Sequence, residues 1–115
     1  MSACTFELRC DFAAAKQRLE ECALSGDYKG TVLYDKFEAK EMDGPSCLIM
    51  LFHQYEYRIS YKLQADAVVG LFERRSGPPV LHVMSYEGKG ITKKWFDFCD
   101  YMSSAFRDVI LSSNN

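Results

Sequence analysis

Cys47-Leu48-Ile49-Met50-Leu51-Phe52-His53-Gln54-Tyr55-Glu56-Tyr57-Arg58-Ile59-Ser60-Tyr61-Lys62-Leu63 is the most β-prone stretch of the chain. Cys47 to Phe52 is apolar at odd and even positions alike. Side chains alternate across a strand, so this part is apolar on both faces, as in the middle of a sheet. Beyond His53 the pattern alternates, with Tyr55, Tyr57, Ile59 and Tyr61 against Gln54, Glu56, Arg58 and Ser60. That period of two predicts a strand with one wet face. The stretch therefore begins centrally and ends half-exposed. A break into two strands is expected near His53-Gln54, because strands are usually about 5–6 residues long.

Upstream, Phe6, Leu8 and Cys10 alternate with Thr5, Glu7 and Arg9, which predicts a half-buried opening strand. Asp11 follows as a helix N-cap, its carboxylate placed to accept from first-turn amides. Phe12, Ala15, Leu19, Cys22 and Ala23 recur at helical spacing, and the helix should stop near Ser25, before Gly26. Thr31–Tyr34 opens another strand, continued by Phe37, Ala39 and Met42, and Asp43-Gly44-Pro45-Ser46 is a turn.

Downstream, Ala67–Arg75 reads as a strand and Ser76-Gly77-Pro78-Pro79 as a loop. In Val80–Tyr86, Leu81, Val83 and Tyr86 are expected to face inward around a bulge. A final helix should start at Ile91 or Thr92, with Trp95, Cys99, Met102, Phe106 and Val109/Ile110 as its stripe and Phe96, Phe98 and Ala105 widening it. Ser112–Asn115 reads as a frayed polar tail. The order is β-α-β-β-β-β-α. The fold class is α+β, a two-layer domain with an antiparallel sheet of four to five strands and two helices on one face.

The chain has 115 residues, 48% hydrophobic, 14% aromatic and 26% charged, so residues 1–115 make one globular domain. Lys and Arg number 14 against 16 Asp and Glu, for a net charge of −2, which disfavours nucleic acid as a partner. Five cysteines (Cys4, Cys10, Cys22, Cys47, Cys99) without a paired spacing read as reduced thiols in a cytoplasmic or nuclear protein. The start, Met1-Ser2-Ala3-Cys4, lacks a signal-peptide pattern, and no apolar run approaches the ~20 residues of a spanning helix.

No catalytic constellation is visible, and none of the residues is assigned a catalytic, cofactor-binding or metal role. His53 and His82 sit alone within strand patterns, without the four converging ligands a zinc site needs. Gly88-Lys89-Gly90-Ile91-Thr92 departs from a phosphate-binding loop, because a glycine follows the lysine where the hydroxyl residue belongs. Cys99 falls in the last helix's stripe as a buried, inert thiol. Glu38, Glu41 and Asp43 read as a solvated acidic face.

Two clusters remain as binding candidates. Arg74 and Arg75 end a strand, Lys89 lies in the exit loop, and Lys93 and Lys94 open the last helix. Converging, they would form a basic end for an anionic lipid surface or an acidic protein. Tyr55, Tyr57 and Tyr61 share a strand face, either as the inner face under the helices, which aromatic burial favours, or as an exposed aromatic interface.

Three stretches give the chain a resemblance to a family. They are Thr5-Phe6-Glu7-Leu8 leading into helix Phe12–Leu24 and Asp27-Tyr28; Val68-Val69-Gly70-Leu71-Phe72-Glu73-Arg74; and Leu81-His82-Val83-Met84-Ser85-Tyr86-Glu87-Gly88-Lys89-Gly90-Ile91. Together they resemble a kinase-associated-1 domain, the C-terminal regulatory module of the microtubule-affinity-regulating and AMP-activated-type kinases. That resemblance implies a non-enzymatic regulatory or scaffolding module, binding anionic phospholipid or a protein partner such as a kinase or a larger complex. It makes Arg74, Arg75, Lys89, Lys93 and Lys94 the contacts. His82, Met84 and Ser85 stand where that family is usually basic. A second expectation is a hydrophobic-ligand carrier, because the element order is also similar to helix-grip proteins.

Overall fold

The structure is a computed structural model that describes residues 2–25, 31–40, 42, 44–57, 62–87 and 98–114. It comprises strands β1 (Ser2–Leu8), β2 (Thr31–Lys40), β3 (Ser46–Tyr57), β4 (Lys62–Phe72), β5 (Val80–Glu87) and β6 (Ile110–Asn114), with helices α1 (Phe12–Ser25) and α2 (Phe98–Ala105). The fold is α+β, with one open antiparallel sheet of six strands in the order β2-β3-β4-β5-β1-β6.

Register explains the core. Leu48, Leu71, Leu81 and Phe6 are partners across β3, β4, β5 and β1, and so form one row on one face. Met50, Val69, Val83 and Cys4 form the next row, and Phe52, Ala67 and Ser85 the third. Every one of these residues is buried. Ala15 and Leu19 from α1, and Phe98, Cys99 and Met102 from α2, complete the same cluster, so both helices cover this face. Burying one such aliphatic or aromatic side chain stabilises by roughly 1.5–3 kcal/mol.

Local chemistry sets the start of α1. Ala14 donates its backbone N–H to Asp11 Oδ1 at 2.8 Å, which is the expected N-cap. At the edge strand, Lys36 and Glu38 stand on the helix side of β2 and meet α1. Lys16 Nζ lies 2.7 Å from Glu38 Oε1, and Lys36 Nζ lies 3.6 Å from Glu20 Oε2. The spacing of two on the strand matches the spacing of four on the helix, because both bring side chains to one face. These charges and a register shift between Leu33 and Asp35 also discourage strand addition at β2.

Several expectations are corrected. β3 runs through His53-Gln54 without a break, and the second strand of its hairpin begins at Lys62 rather than Ala67. Cross-strand pairing throughout Cys47–Tyr57 sustains the twelve-residue strand Ser46–Tyr57, so average strand length does not apply. The sheet has six strands, not four or five. β5 has no bulge: Leu81, Val83 and Ser85 face the core, while Tyr86 is exposed. Met42 lies past the end of β2 and is exposed. Val109 and Ile110 do not extend the last helix, which ends at Ala105; a 3₁₀ turn, Arg107–Val109, redirects the chain. Ser112 to Asn114, expected as a tail, belong to β6, which pairs with β1.

Arg18 holds that redirection in place. It donates to the carbonyl of Ala105 at 3.0 Å and makes a two-pronged ion pair with Asp108. Its guanidinium also sits 5.4 Å from the Phe106 ring centroid.

Candidate functional site

The face away from the helices is built by the alternate residues of the same strands. Phe37, Ile49, Gly70, His82 and Thr5 form one row across β2, β3, β4, β5 and β1. Asp35, Leu51, Val68, Met84 and Ala3 form the next. Cys47, Phe72, Val80 and Glu7 flank these rows on one side; His53, Asp66 and Tyr86 flank them on the other.

An antiparallel sheet with one wet face ordinarily carries polar residues there. Here the middle of the open face is apolar. Phe37 is 62% exposed, Met84 46%, Tyr86 60% and Leu51 37%, with Ile49 and Val68 half-buried between them. Among the described residues neither helix contributes to this face.

Polar groups lie around the patch. His53 Nδ1 is 2.6 Å from Asp66 Oδ1, and Thr5 Oγ1 is 2.9 Å from His82 Nδ1. Both are cross-strand partners, so register accounts for their contact. Arg74 Nη2 donates to Glu7 Oε2 at 2.7 Å, and Ser112 Oγ donates to Glu7 Oε1 at 2.7 Å. These two hydrogen bonds, that from Ser112 foremost, hold the Glu7 carboxyl below the usual carboxylate range.

Among the described residues, shallow grooves open on this face. One, about 480 Å³, is lined by Thr5, Glu7, Phe72, Arg74, His82 and Ser112. A second, about 420 Å³, is lined by Tyr34, Leu51, His53, Asp66 and Val68. The second also touches Phe52 and Ala67, at the margin of the buried cluster.

Of the basic candidates, Arg74 and Arg75 are exposed just past β4. Arg74 is already engaged, by Glu7 and by the Pro78 carbonyl at 2.8 Å. The turn that folds it back needs Gly77, whose φ of +100° suits glycine. Lys89, Lys93 and Lys94 lie outside the described residues. Tyr61 does too, while Tyr55 and Tyr57 occupy β3 positions paired with Gln64 and Lys62. Among the described residues the nearest pairs to neighbouring strands are Thr31 with Gln54 and Ala65 with Glu87.

Glu38 of the acidic candidates is tied to Lys16, and Glu41 and Asp43 lie outside the described residues. All five cysteines are free thiols. Burial foremost pushes the Cys10 thiol up, which keeps it protonated and a poor nucleophile. Among the described residues no group of His, Cys, Asp and Glu is arranged to hold a metal ion, and no helix is long and apolar enough to cross a membrane.

Sequence reasoning passed over the open face itself. Its signal was present in Cys47–Phe52 and Val68–Phe72, which are apolar at both parities. Such strands need two covers, and the fold supplies one. In comparison with known proteins, the chain matches no protein-family profile, no curated protein and no solved structure.

Proposed function

We propose that this chain is a non-enzymatic interaction module that docks a protein partner on its open sheet face. The observation that carries this is the pair of apolar rows, Phe37–Ile49 and Leu51–Val68–Met84, presented to solvent beside Tyr86. Contiguous apolar surface of this kind, rimmed by polar groups, marks binding surfaces. Large apolar and aromatic side chains with few charges compose the centre of such interfaces. The resemblance to kinase-associated-1 domains agrees with a binding role rather than a catalytic one. The free thiols suit a reducing compartment, cytoplasmic or nuclear. An anionic lipid surface is less favoured, because Glu7 offsets the charge of Arg74.

The test uses Met84 as its own reporter. Complexes recovered from cells with the wild-type chain should protect Met84 from oxidation. The doubly substituted chain, Leu51→Thr with Met84→Thr, should recover none of them while melting at an unchanged temperature. Recovery that is unaltered by the two substitutions, or complexes that leave Met84 fully oxidisable, would refute the docking face.

A further inference from the structure

We infer that the occupant of the open face is a second copy of this chain, packed face to face as a four-layer helix–sheet–sheet–helix dimer. The inference rests on the docking reading above and adds the identity of the partner.

Size is the first argument. Adjacent strands lie about 4.8 Å apart and residues rise about 3.4 Å, so six strands by some seven residues present a face of roughly 600–700 Å² in projection. The pleat and its side chains raise the accessible area above the projection. A stable interface needs about 800 Å² from each partner, which this face approaches when paired with one like itself.

Charge is the second. A chain of net charge −2 repels its copy unless the contact surface is locally balanced. On the open face the Glu7 charge is paired with that of Arg74, while Asp66, at the flank, is hydrogen-bonded to His53. The apolar middle carries no charge, and Asp35 stands at the β2 edge of its row. Like meets like here without uncompensated charges at the centre.

Symmetry is the third. An isologous contact requires a self-complementary surface. A two-fold axis parallel to the strands, between β4 and β5, sets Val68 of one copy opposite Met84 of the other. It also sets Asp66 opposite Tyr86, an acceptor against a phenol donor. The rows on β4 and β5 are register partners, Val68 with Met84 and Asp66 with Tyr86, so the exchange follows from the sheet's own pairing. Sheets stack about 10 Å apart with strands within about 30° of each other, which leaves room for these side chains to interdigitate.

Sedimentation equilibrium of the full chain from about 1 to about 200 μM decides the matter. The expected species at the upper end has twice the 13.2 kDa chain mass. Its dissociation midpoint should be nearly independent of salt, because the contact is apolar. Leu51→Lys and Met84→Lys should each raise that midpoint at least tenfold, while Gln17→Ala on the exposed side of α1 should not move it. Circular dichroism of each variant confirms that it is folded. A monomer at every concentration, or a dimer indifferent to both lysine substitutions, overturns the inference. If the chain is monomeric yet still protects Met84 in complexes from cells, the docking reading stands and only its second-copy form falls. If Met84 is unprotected as well, both fall.

Discussion

The ring of Phe72 lies over Gly70: a Cβ placed on Gly70 would stand 2.6 Å from Phe72 Cε2 and 3.3 Å from Ile49 Cδ1. The same ring meets His82, the cross-strand partner of Gly70, edge-on at 5.5 Å. The glycine thus makes room for the far edge of an aromatic ring on the open face, and that edge covers backbone that a glycine leaves bare.

That relationship makes the two residues energetically dependent. Phe72→Ala is expected to cost about 1 kcal/mol, on the scale of a cross-strand pair. Gly70→Ala is expected to cost less, because the displaced atoms are the far end of a ring that swings toward solvent. The double substitution should cost less than the two singles added together, since the methyl then fills space the ring has left. Thermal or urea unfolding of the four proteins measures this. Strict additivity would mean that the ring does not lie over Gly70.

Phe106 is fully buried at the point where the chain leaves α2, in the same cluster as Leu19 and Met102. Phe106→Ala should destabilise by about 3–5 kcal/mol, as for a truncated core aromatic. Chemical denaturation reads it directly. A loss below about 1 kcal/mol would mean that the site collapses around the missing ring, contrary to dense packing.

Acid should loosen the C-terminal segment. Hydrogen bonds from Ser112 and then Arg74 lower the Glu7 carboxyl, and the hydrogen bond from Arg18 lowers that of Asp108. A carboxylate depressed in the folded state stabilises above its unfolded value, and that contribution disappears as pH falls through its folded value. Thermal midpoints should therefore hold steady near neutrality and fall below about pH 4. Glu7→Gln with Asp108→Asn should lower the midpoint at pH 7 and flatten the acid limb. An acid limb as steep in the double variant as in the wild type would assign it to other carboxylates.

Anionic vesicles offer a separate check. With Arg74 tied to Glu7 and Pro78, phosphatidylserine vesicles at about 0.15 M salt should not sediment the chain. Arg74→Glu with Arg75→Glu should leave that result unchanged. Sedimentation that is strong, weakened by salt and abolished by the two substitutions would restore the basic end as the binding surface.

Local periodicity made much of this fold legible. The Asp11 cap, the Phe12–Ala15–Leu19 stripe, the alternation of β1 and the apolar both-sided run at Cys47–Phe52 depend on residues near in sequence, and their elements form as read. The C-terminal end was misread for a reason of the same kind. Phe106, Val109 and Ile110 keep helical spacing, and nothing nearby reveals that β1 has an open edge to receive Ile110–Asn114. That pairing joins Ser112 to Glu7 across 105 positions. Arg74 likewise reads as a free cation until the fold brings Glu7 to it from 67 positions away.

The open face shows both sides of the division. Sequence alone determined that β3 and β4 carry apolar side chains at both parities, because a strand's faces follow from its period of two. Only the tertiary structure decided that the helices cover one of those faces. Their side is set by register, by the Lys16–Glu38 and Lys36–Glu20 pairs, and by the shared burial of Leu19, Phe98 and Met102. What a strand can bury is a local property. Which face is buried depends on contacts between elements far apart in the chain, and that choice leaves Phe37, Leu51 and Met84 in solvent.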